Sequence, residues 1–270
     1  MLWNTKIIII GAGDKGTAAA LRLFKGGFRP VLVEQNNPTD LHFFRNYSDV
    51  VYLGEKIIED IRCQLINASN DTQTLMDRII KSRKDRLIPL VIGELPAIIN
   101  SYQPEIIIDS RGEAPTDSDW EWSEFPCVIR IGSAFKVGRE GHFVIGAAHE
   151  ELGRVYRKPA DLVCKVSQSN FVSLAPLEGV FICNKSVSEK VAEREKVGSI
   201  NDIPILAPRN GLVSGLLHSG HFVQSHQPLF EIVPVSTRIN VSKQTSTHCL
   251  AIAGGILEAI LTFISENRSN

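Results

Sequence analysis

The chain has 270 residues, with 29 basic and 30 acidic side chains and a formal net charge of −1. This balance excludes the strongly basic surface expected of a protein that binds nucleic acid or an anionic membrane. Hydrophobic residues make up 43% and charged residues 22% of the chain, as in an ordinary soluble globular protein long enough for two domains.

The sequence shows no signal for a membrane, for secretion or for a metal or redox centre. No apolar run approaches the length of a membrane span, and the first residues do not form a signal peptide. The five cysteines are dispersed without a Cys-x-x-Cys unit, which fits a reducing cytoplasm. The seven histidines show no metal-ligand spacing, so no metal site is predicted. We therefore expect a cytoplasmic protein without a membrane partner.

The first strong element is a glycine loop. Four isoleucines, Ile7–Ile10, are typical of a strand buried on both faces of a parallel sheet, and a Gly-x-Gly-x-x-Gly pattern follows at once. Gly11 would permit a tight turn, Gly13 would let a pyrophosphate approach the backbone, and Gly16 would let the next helix pack closely. The helix N-terminus favours a phosphate. The predicted ligand-binding residues of this loop are Gly11, Gly13, Asp14, Lys15, Gly16 and Thr17.

The next segments predict alternating strands and helices. A second strand ends at Glu34, about where an acid binds the ribose hydroxyls of an adenine dinucleotide. The apolar run Val50–Leu53 predicts another strand, and Asp71 or Thr72 would begin a helix that reaches about Lys84.

Further strands are predicted at 87–92, 104–109 and 127–132, which favours an α/β fold with a Rossmann-like, doubly wound parallel sheet. Ligands bind beyond the carboxyl ends of such strands, so the glycine loop, Glu34 and Asp109 are predicted to converge. Asp109 and Arg111 could contact a substrate or phosphate, although an aspartate at a strand end also serves as a turn or cap residue.

The second half contains an internal repeat. Ala175–Val180 recurs as Ala207–Leu212, and Val191 and Val197 recur in register as Val223 and Leu229. Short strands with Pro and Gly turns indicate a small β sandwich or barrel. The pattern resembles the barrel-sandwich fold of biotinyl and lipoyl domains, but the connection 199–206 contains no lysine for a swinging arm.

An apolar helix is predicted near the C-terminus, with Gly254 and Gly255 serving tight packing rather than anion binding. The predicted domains are a Rossmann-like nucleotide-binding domain at 1–155, a barrel-sandwich domain at 156–240, and a C-terminal segment and helix at 241–270.

The order of these features resembles the accessory proteins of the selenium-dependent molybdenum hydroxylase system over nearly the whole chain. The segments that carry the resemblance are Gly11–Asp14, Gly27–Val31, Glu34 with Pro38 and Thr39, Ser48–Gly54, Ile106–Asp109, Gly132–Arg139, Leu152–Arg154, the two Ala-Pro-x-x-Gly units and Ala253–Ala259. The resemblance implies a cytoplasmic bacterial protein that helps to build or activate a molybdenum hydroxylase client. This chain departs from the family where two arginines are usual, because it has His42 and Phe43 there.

Three functions are compatible with these patterns. The first is a maturation factor for selenium-dependent molybdenum hydroxylases that binds a nucleotide or molybdopterin-type ligand at the glycine loop, as a homo-oligomer or with its client. The second is an NAD(P)-dependent oxidoreductase of small molecules, although no proton-donor dyad stands out and the catalytic residues are unknown. The third is a non-catalytic scaffold with a relic nucleotide fold.

Overall fold

A computed structural model describes residues 2–66, 72–111, 122–132, 135–158, 171–237 and 244–267. The chain forms two compact units. Unit 1 comprises Met1–Asn36, Asn46–Val166 and Gln244–Asn270, and unit 2 comprises Asn37–Arg45 and Ser167–Lys243. The predicted α/β class is confirmed. The division at 1–155, 156–240 and 241–270 stays a prediction, whereas the compact units place the C-terminal helix with the N-terminal segment.

In the residues that the structure describes, unit 1 contains one large mixed sheet and five α-helices. Its strands are β1 (Ile7–Ile10), β2 (Val31–Glu34), β3 (Glu55–Ile58), β4 (Ile61–Ile66), β5 (Ile88–Ile92), β6 (Ile106–Asp109), β7 (Cys127–Ile131), β8 (Phe143–Ile145) and β9 (Val155–Tyr156). Its helices are α1 (Asp14–Lys25), α2 (Val50–Leu53), α3 (Thr72–Lys84), α4 (Leu95–Tyr102) and α5 (Thr247–Asn267).

The sheet has the strand order β3-β4-β5-β2-β1-β6-β7-β8-β9. The strands from β4 to β8 pair in parallel, and the two edge strands, β3 and β9, pair antiparallel to their neighbours. Ile7 and Ile9 face a core that includes α1 and α5, whereas Ile8 and Ile10 face a core with α3 and α4. Helices on both faces explain why β1 has no polar residue.

The predicted strand at Val50–Leu53 is wrong, because this segment forms the short helix α2. The amide of Leu53 donates to the carbonyl of Asp49, and the amide of Gly54 donates to that of Val50. Gly54 then adopts a φ of +78°, which ends the helix. A run of four apolar residues fits a strand or a buried helical turn equally well, so its pattern could not decide between them.

The described residues of unit 2 form two four-stranded sheets. Its strands are β10 (Phe171–Leu174), β11 (Gly179–Cys183), β12 (Lys190–Val191), β13 (Lys196–Ile200), β14 (Ile203–Leu206), β15 (Gly211–Leu216), β16 (His221–Val223) and β17 (Pro228–Val233). The sheet orders are β10-β17-β15-β12 and β14-β13-β11-β16.

The strand orders of unit 2 follow from the internal repeat. The first copy supplies β10 to β13 and the second supplies β14 to β17, and each sheet contains two strands of each copy. Repeat-related positions such as Val191 and Val223, or Val197 and Leu229, are all buried in one shared core. The two copies therefore cover each other's apolar faces, as the repeat predicts.

The segment Asn37–Arg45 lies between β2 and α2 in the sequence but belongs to unit 2. The carbonyl of Leu41 accepts the amide of Leu216 at 2.7 Å, and the Leu41 side chain packs on the unit 2 core. Nε2 of His42 lies 2.9 Å from a carboxylate oxygen of buried Glu231, which also accepts the Ser214 hydroxyl. His42, which departs from the arginine usual in the resembled family, therefore makes an internal contact of unit 2.

Helix α5 is a core helix of unit 1. By length and composition it is the one helix in the described ranges that could cross a membrane, with a mean hydropathy of 1.7 over its most apolar window. It packs against α1, β7, β8 and β9 and buries Ile252, Ile256 and Ile260. Gly255 lies so close to the backbone of Gly153 that an added Cβ would be 2.2 Å from its carbonyl oxygen. This confirms the predicted packing role of Gly255, whereas the same prediction is wrong for Gly254, which is exposed and has nothing within 4 Å of an added Cβ.

Candidate functional site

The glycine loop is built by close backbone contacts between β1, α1 and β6. Gly11 has a φ of +89°, and a Cβ there would lie 3.0 Å from Oγ of Ser110 and 3.3 Å from Cγ of Arg111. A Cβ on Gly16 would lie 1.9 Å from the carbonyl oxygen of Gly11. The predicted roles of Gly11 in the turn and Gly16 in helix packing are thus confirmed.

The interior side of this loop is fixed by Thr17 and Ser110. The buried Thr17 hydroxyl donates to the carbonyl of Ala12 at 2.7 Å and accepts the amide of Tyr47 at 2.8 Å. The Ser110 hydroxyl contacts the carbonyls of Ile10 and Gly11 at 2.7 and 3.0 Å. Thr17 therefore holds the loop from within, and its predicted contact with a ligand stays a prediction.

Glu34, at the end of β2, lies on one side of the loop. One carboxylate oxygen accepts the amide of Ala12 at 2.6 Å, and the other accepts the amide of Gln35 at 2.9 Å. An amide of the predicted phosphate loop thus binds a carboxylate of the protein itself. Whether Glu34 binds a ligand stays a prediction.

Three charged side chains lie on the other side of the glycine loop, where β6 is next to β1 in the sheet. They are Asp109, Arg111 and Arg130. The carboxylate of Asp109 is completely buried and binds Arg111 through two hydrogen bonds of 2.9 and 2.7 Å. It also accepts a hydrogen bond from Arg130, a buried residue of β7 whose Nε donates to the carbonyl of Glu140. Burial lowers the pKa of Arg130, and the Asp109 charge partly offsets that effect. Two guanidinium groups around one carboxylate give these three side chains a net positive charge.

Further charged groups, two basic and one acidic, lie near His248 of α5. Burial lowers the pKa of His248, and Lys15 and His149 lower it further by electrostatic repulsion, whereas Asp14 acts in the opposite direction. His248 is the second residue of α5, and His149 lies between β8 and β9 in the sequence. Strands β8 and β9 lie on the same side of β1 as β6, and α5 packs on them. Helix α1 begins after Gly13, which has no side chain to cap its first amides.

The predicted site residues all lie in unit 1 around this loop. They are Gly11, Gly13, Asp14, Lys15, Gly16, Thr17, Glu34 and Asp109. Sequence reasoning missed Ser110, Arg130, His149 and His248. Arg130 carried a usable signal, because a charged residue within the apolar strand Cys127–Ile131 must be paired when that strand is buried. The two histidines carried none, since only tertiary packing brings His248 of α5 and the turn at His149 close to α1.

A half-buried histidine next to β7 should make stability depend on pH. Nδ1 of His142 accepts the amide of Val128 at 3.0 Å, and burial lowers the His142 pKa below its ordinary value of 6.5. The unfolded chain therefore binds the proton first as pH falls, so His142 contributes stability above about pH 6.5 that is lost at lower pH. We expect His142→Asn, which keeps an acceptor, to flatten the change of unfolding free energy with pH below about pH 6.5.

Urea denaturation at several pH values measures this effect. The matched control is His226→Asn, which changes an exposed histidine with a φ of +68°, a conformation that asparagine tolerates. A His142→Asn profile as steep as that of His226→Asn would contradict the prediction.

Comparison with known proteins gives one curated relative. No family model matches the chain. The uncharacterized protein YqeB of Escherichia coli K12 is 25% identical over 277 aligned residues, which cover 96% of this chain and 48% of YqeB. The chain thus spans about half the length of this relative, and the relative's name describes no activity.

Several solved structures show a distant likeness. A succinylglutamate desuccinylase/aspartoacylase of Rhodobacter sphaeroides is 11% identical, with 76% of this chain and 58% of the other covered and a TM-score of 0.23. Aspartoacylase family proteins of Mesorhizobium loti and Shewanella amazonensis are 10% and 11% identical. They cover 85% of this chain and 85% and 90% of their own chains, with TM-scores of 0.24 and 0.26. At these scores the likeness assigns no activity to this chain.

The predicted resemblance to accessory proteins of selenium-dependent molybdenum hydroxylases is corrected by the comparisons: no family model matches the chain, and the three solved structures named above are described as desuccinylase/aspartoacylase family proteins. The predicted maturation function and its molybdopterin-type ligand rested on that resemblance and are corrected with it. None of the comparisons supports an NAD(P)-dependent oxidoreductase or Rossmann nucleotide binding, so these two predictions are corrected as well, whereas the relic scaffold stays a prediction. The structure gives a physical reason against a phosphate at this amide: within the predicted phosphate loop, the amide of Ala12 already donates to the carboxylate of Glu34.

Proposed function

We propose that unit 1 binds a small organic anion, bearing a carboxylate or a phosphate group, on the β6 side of the glycine loop. The observation that carries this proposal is the position of Arg111. Its side chain is 42% exposed, is held by two hydrogen bonds to buried Asp109, and lies against Gly11. A guanidinium oriented in this way recognises carboxylate and phosphate groups through paired hydrogen bonds.

The charges around the loop favour an anion on one side only. Glu34 lies on the β2 side, and Arg111 lies on the β6 side, because β2 and β6 flank β1 in the sheet. Lys15 and His149 add basic groups near the start of α1 and Asp14 adds one acidic group, while the first amides of the helix and its dipole attract negative charge. The anion would therefore bind between the first turn of α1 and Arg111.

Arg111→Gln is expected to weaken binding of such an anion by about tenfold or more, since hydrogen bonds to charged groups contribute about 1.5–3 kcal/mol. The measurement is isothermal titration of the purified chain with inorganic phosphate and with small dicarboxylates. Arg62→Gln is the matched control, because Arg62 is also half-exposed but lies on β4. The proposal fails if none of these anions binds at about 10 mM, or if both variants bind alike.

A second pair of variants tests the contribution of helix α1 without touching Arg111. Gly13→Asp places a negative charge at the N-cap, and Gly13→Asn places a neutral side chain of the same shape there. Both residues are good N-caps, so both variants should stay folded. We expect the aspartate variant to bind the anion more weakly than the asparagine variant, and equal affinities would argue against a site at this helix end.

For unit 2 we propose the barrel-sandwich type of fold. Two four-stranded sheets around one core, each with two strands from both repeat copies, support this assignment. The hairpin between β13 and β14 contains no lysine, so the unit would serve recognition rather than carry a prosthetic arm. A cytoplasmic location and the lack of a nucleic-acid partner also stay predictions.

A further inference from the structure

The end of the unit 1 sheet opposite the glycine loop carries a row of charged side chains. Strand pairing places Lys6, which precedes β1, between Arg29, which precedes β2, and Glu105, which precedes β6. Arg86 lies two residues before β5, and β5 pairs with β2 on its other side. Three of the four side chains that begin these strands are therefore basic.

A third arginine reaches this row from the last turn of α3. Nη2 of Arg83 donates to the carbonyl of Thr5 at 3.3 Å, two residues before β1. Burial lowers the pKa of Arg29, and the charges of Arg86 and Arg83 lower it further. Within the described ranges, no carboxylate lies at ion-pair distance from any of these three arginines, which we call the arginine cluster.

Two buried hydrogen-bond donors lie at the arginine cluster. Among the residues that the structure describes, Nε of Arg83 and the hydroxyl of Tyr102 have no hydrogen-bond partner. Tyr102 is the last residue of α4 and is 3% exposed. Burial raises its pKa to about 12, and the charge of nearby Arg83 partly offsets this, so the hydroxyl keeps its proton and can donate. A buried donor without an acceptor costs free energy that a bound acceptor would recover.

From this arrangement we infer a second anion site in unit 1, for a phosphate group, at the amino ends of β1, β2 and β5. A phosphate dianion has enough oxygen atoms to accept hydrogen bonds from the arginine cluster and from the hydroxyl of Tyr102, whereas a carboxylate has only two. The ends of α3 and α4 contribute about half a negative charge each, which three guanidinium groups outweigh. Lys6 and Arg86 are exposed and form the solvent side of this site.

This site is separate from the one proposed at Arg111, which follows the carboxyl end of β6. Isothermal titration of the Arg111→Gln chain with inorganic phosphate therefore tests the arginine cluster by itself. We expect one phosphate to bind per chain, and acetate to bind at least about tenfold more weakly. If only the site at Arg111 were absent, the wild type and Arg111→Gln would bind phosphate alike.

Adding Arg83→Gln to the Arg111→Gln chain should weaken phosphate binding by about tenfold or more, because hydrogen bonds between charged groups are the strong ones. The matched control is Arg154→Gln in the same background. Arg154 is also in unit 1 and is 63% exposed, but it lies beyond the carboxyl end of β8. This control should leave the affinity for phosphate unchanged.

Tyr102→Phe separates phosphate binding from folding, since it leaves the contact of Arg83 with the backbone in place. Without phosphate, this variant should be at least as stable as its parent, because it removes a buried hydroxyl that has no acceptor within the described residues. With phosphate, its thermal midpoint should rise less than that of the parent chain. A hydroxyl with a purely structural role would leave the rise caused by phosphate unchanged.

Two results would overturn the inference. An Arg111→Gln chain that binds no phosphate at about 10 mM has no second site. An affinity that Arg83→Gln and Tyr102→Phe both leave intact would place the bound phosphate elsewhere.

Discussion

Asp109→Ala is expected to lower the free energy of unfolding by about 3–5 kcal/mol, the cost of breaking a buried ion pair by removing one partner. Asp109 is completely buried, and Arg130 is 2% exposed. Without the carboxylate, the Arg130 guanidinium would keep its charge in the interior, where burial already lowers its pKa. Urea denaturation followed by circular dichroism measures the loss.

A double variant separates the ion pair from simple packing. Asp109→Ala combined with Arg130→Met removes both buried charges and replaces the arginine with an apolar side chain of similar length. We expect this double variant to recover much of the stability lost by Asp109→Ala alone. A double variant no more stable than the single one would show that the loss comes from the cavity and not from the charge of Arg130.

Gly16→Ala is expected to destabilise unit 1 by about 3 kcal/mol or more, because the new methyl group meets backbone that cannot move alone. Its Cβ would lie 1.9 Å from the carbonyl oxygen of Gly11 and 2.7 Å from Oγ of Ser110. Relief requires α1 to move away from β1, which would disrupt the buried contacts of Thr17 and Ala18 as well.

Gly254→Ala is the matched control for this substitution. Gly254 lies within helix α5 and is exposed, and a Cβ there meets nothing within 4 Å. The control should gain about 0.5–1 kcal/mol, the usual difference between alanine and glycine in a helix. If both variants changed stability by similar amounts, the close approach of Gly16 to Gly11 would not be the cause.

Local patterns predicted much of the unit 1 sheet and the repeat. Ile7–Ile10 had to be buried on both faces, and the glycine spacing implied a turn followed by a closely packed helix; both features are observed. The recurrence of Ala175–Val180 as Ala207–Leu212 likewise predicted two copies sharing one core. These patterns succeed because each is fixed by contacts close in sequence or by a repeated unit.

Local sequence patterns could not predict which charged side chains surround the glycine loop. Asp109 was predicted as a site residue, but its pairing with Arg130 depends on β6 lying beside β7. His149 and His248 approach α1 only because α5 packs against α1 and the last strands of the sheet. Val50–Leu53 was ambiguous for a different reason, since four apolar residues carry too little periodicity to separate helix from strand.

Both units are assembled from segments far apart in the sequence, and this has a consequence during synthesis on the ribosome. Leu41 emerges early, but its partner strand β15 follows only at Gly211–Leu216. The apolar face of α1 that α5 covers stays open until Thr247–Asn267 has emerged. At about 5–20 residues per second, these surfaces wait for roughly ten seconds or more in a nascent chain. Such a chain is a natural client for chaperones that shield apolar surface until translation ends.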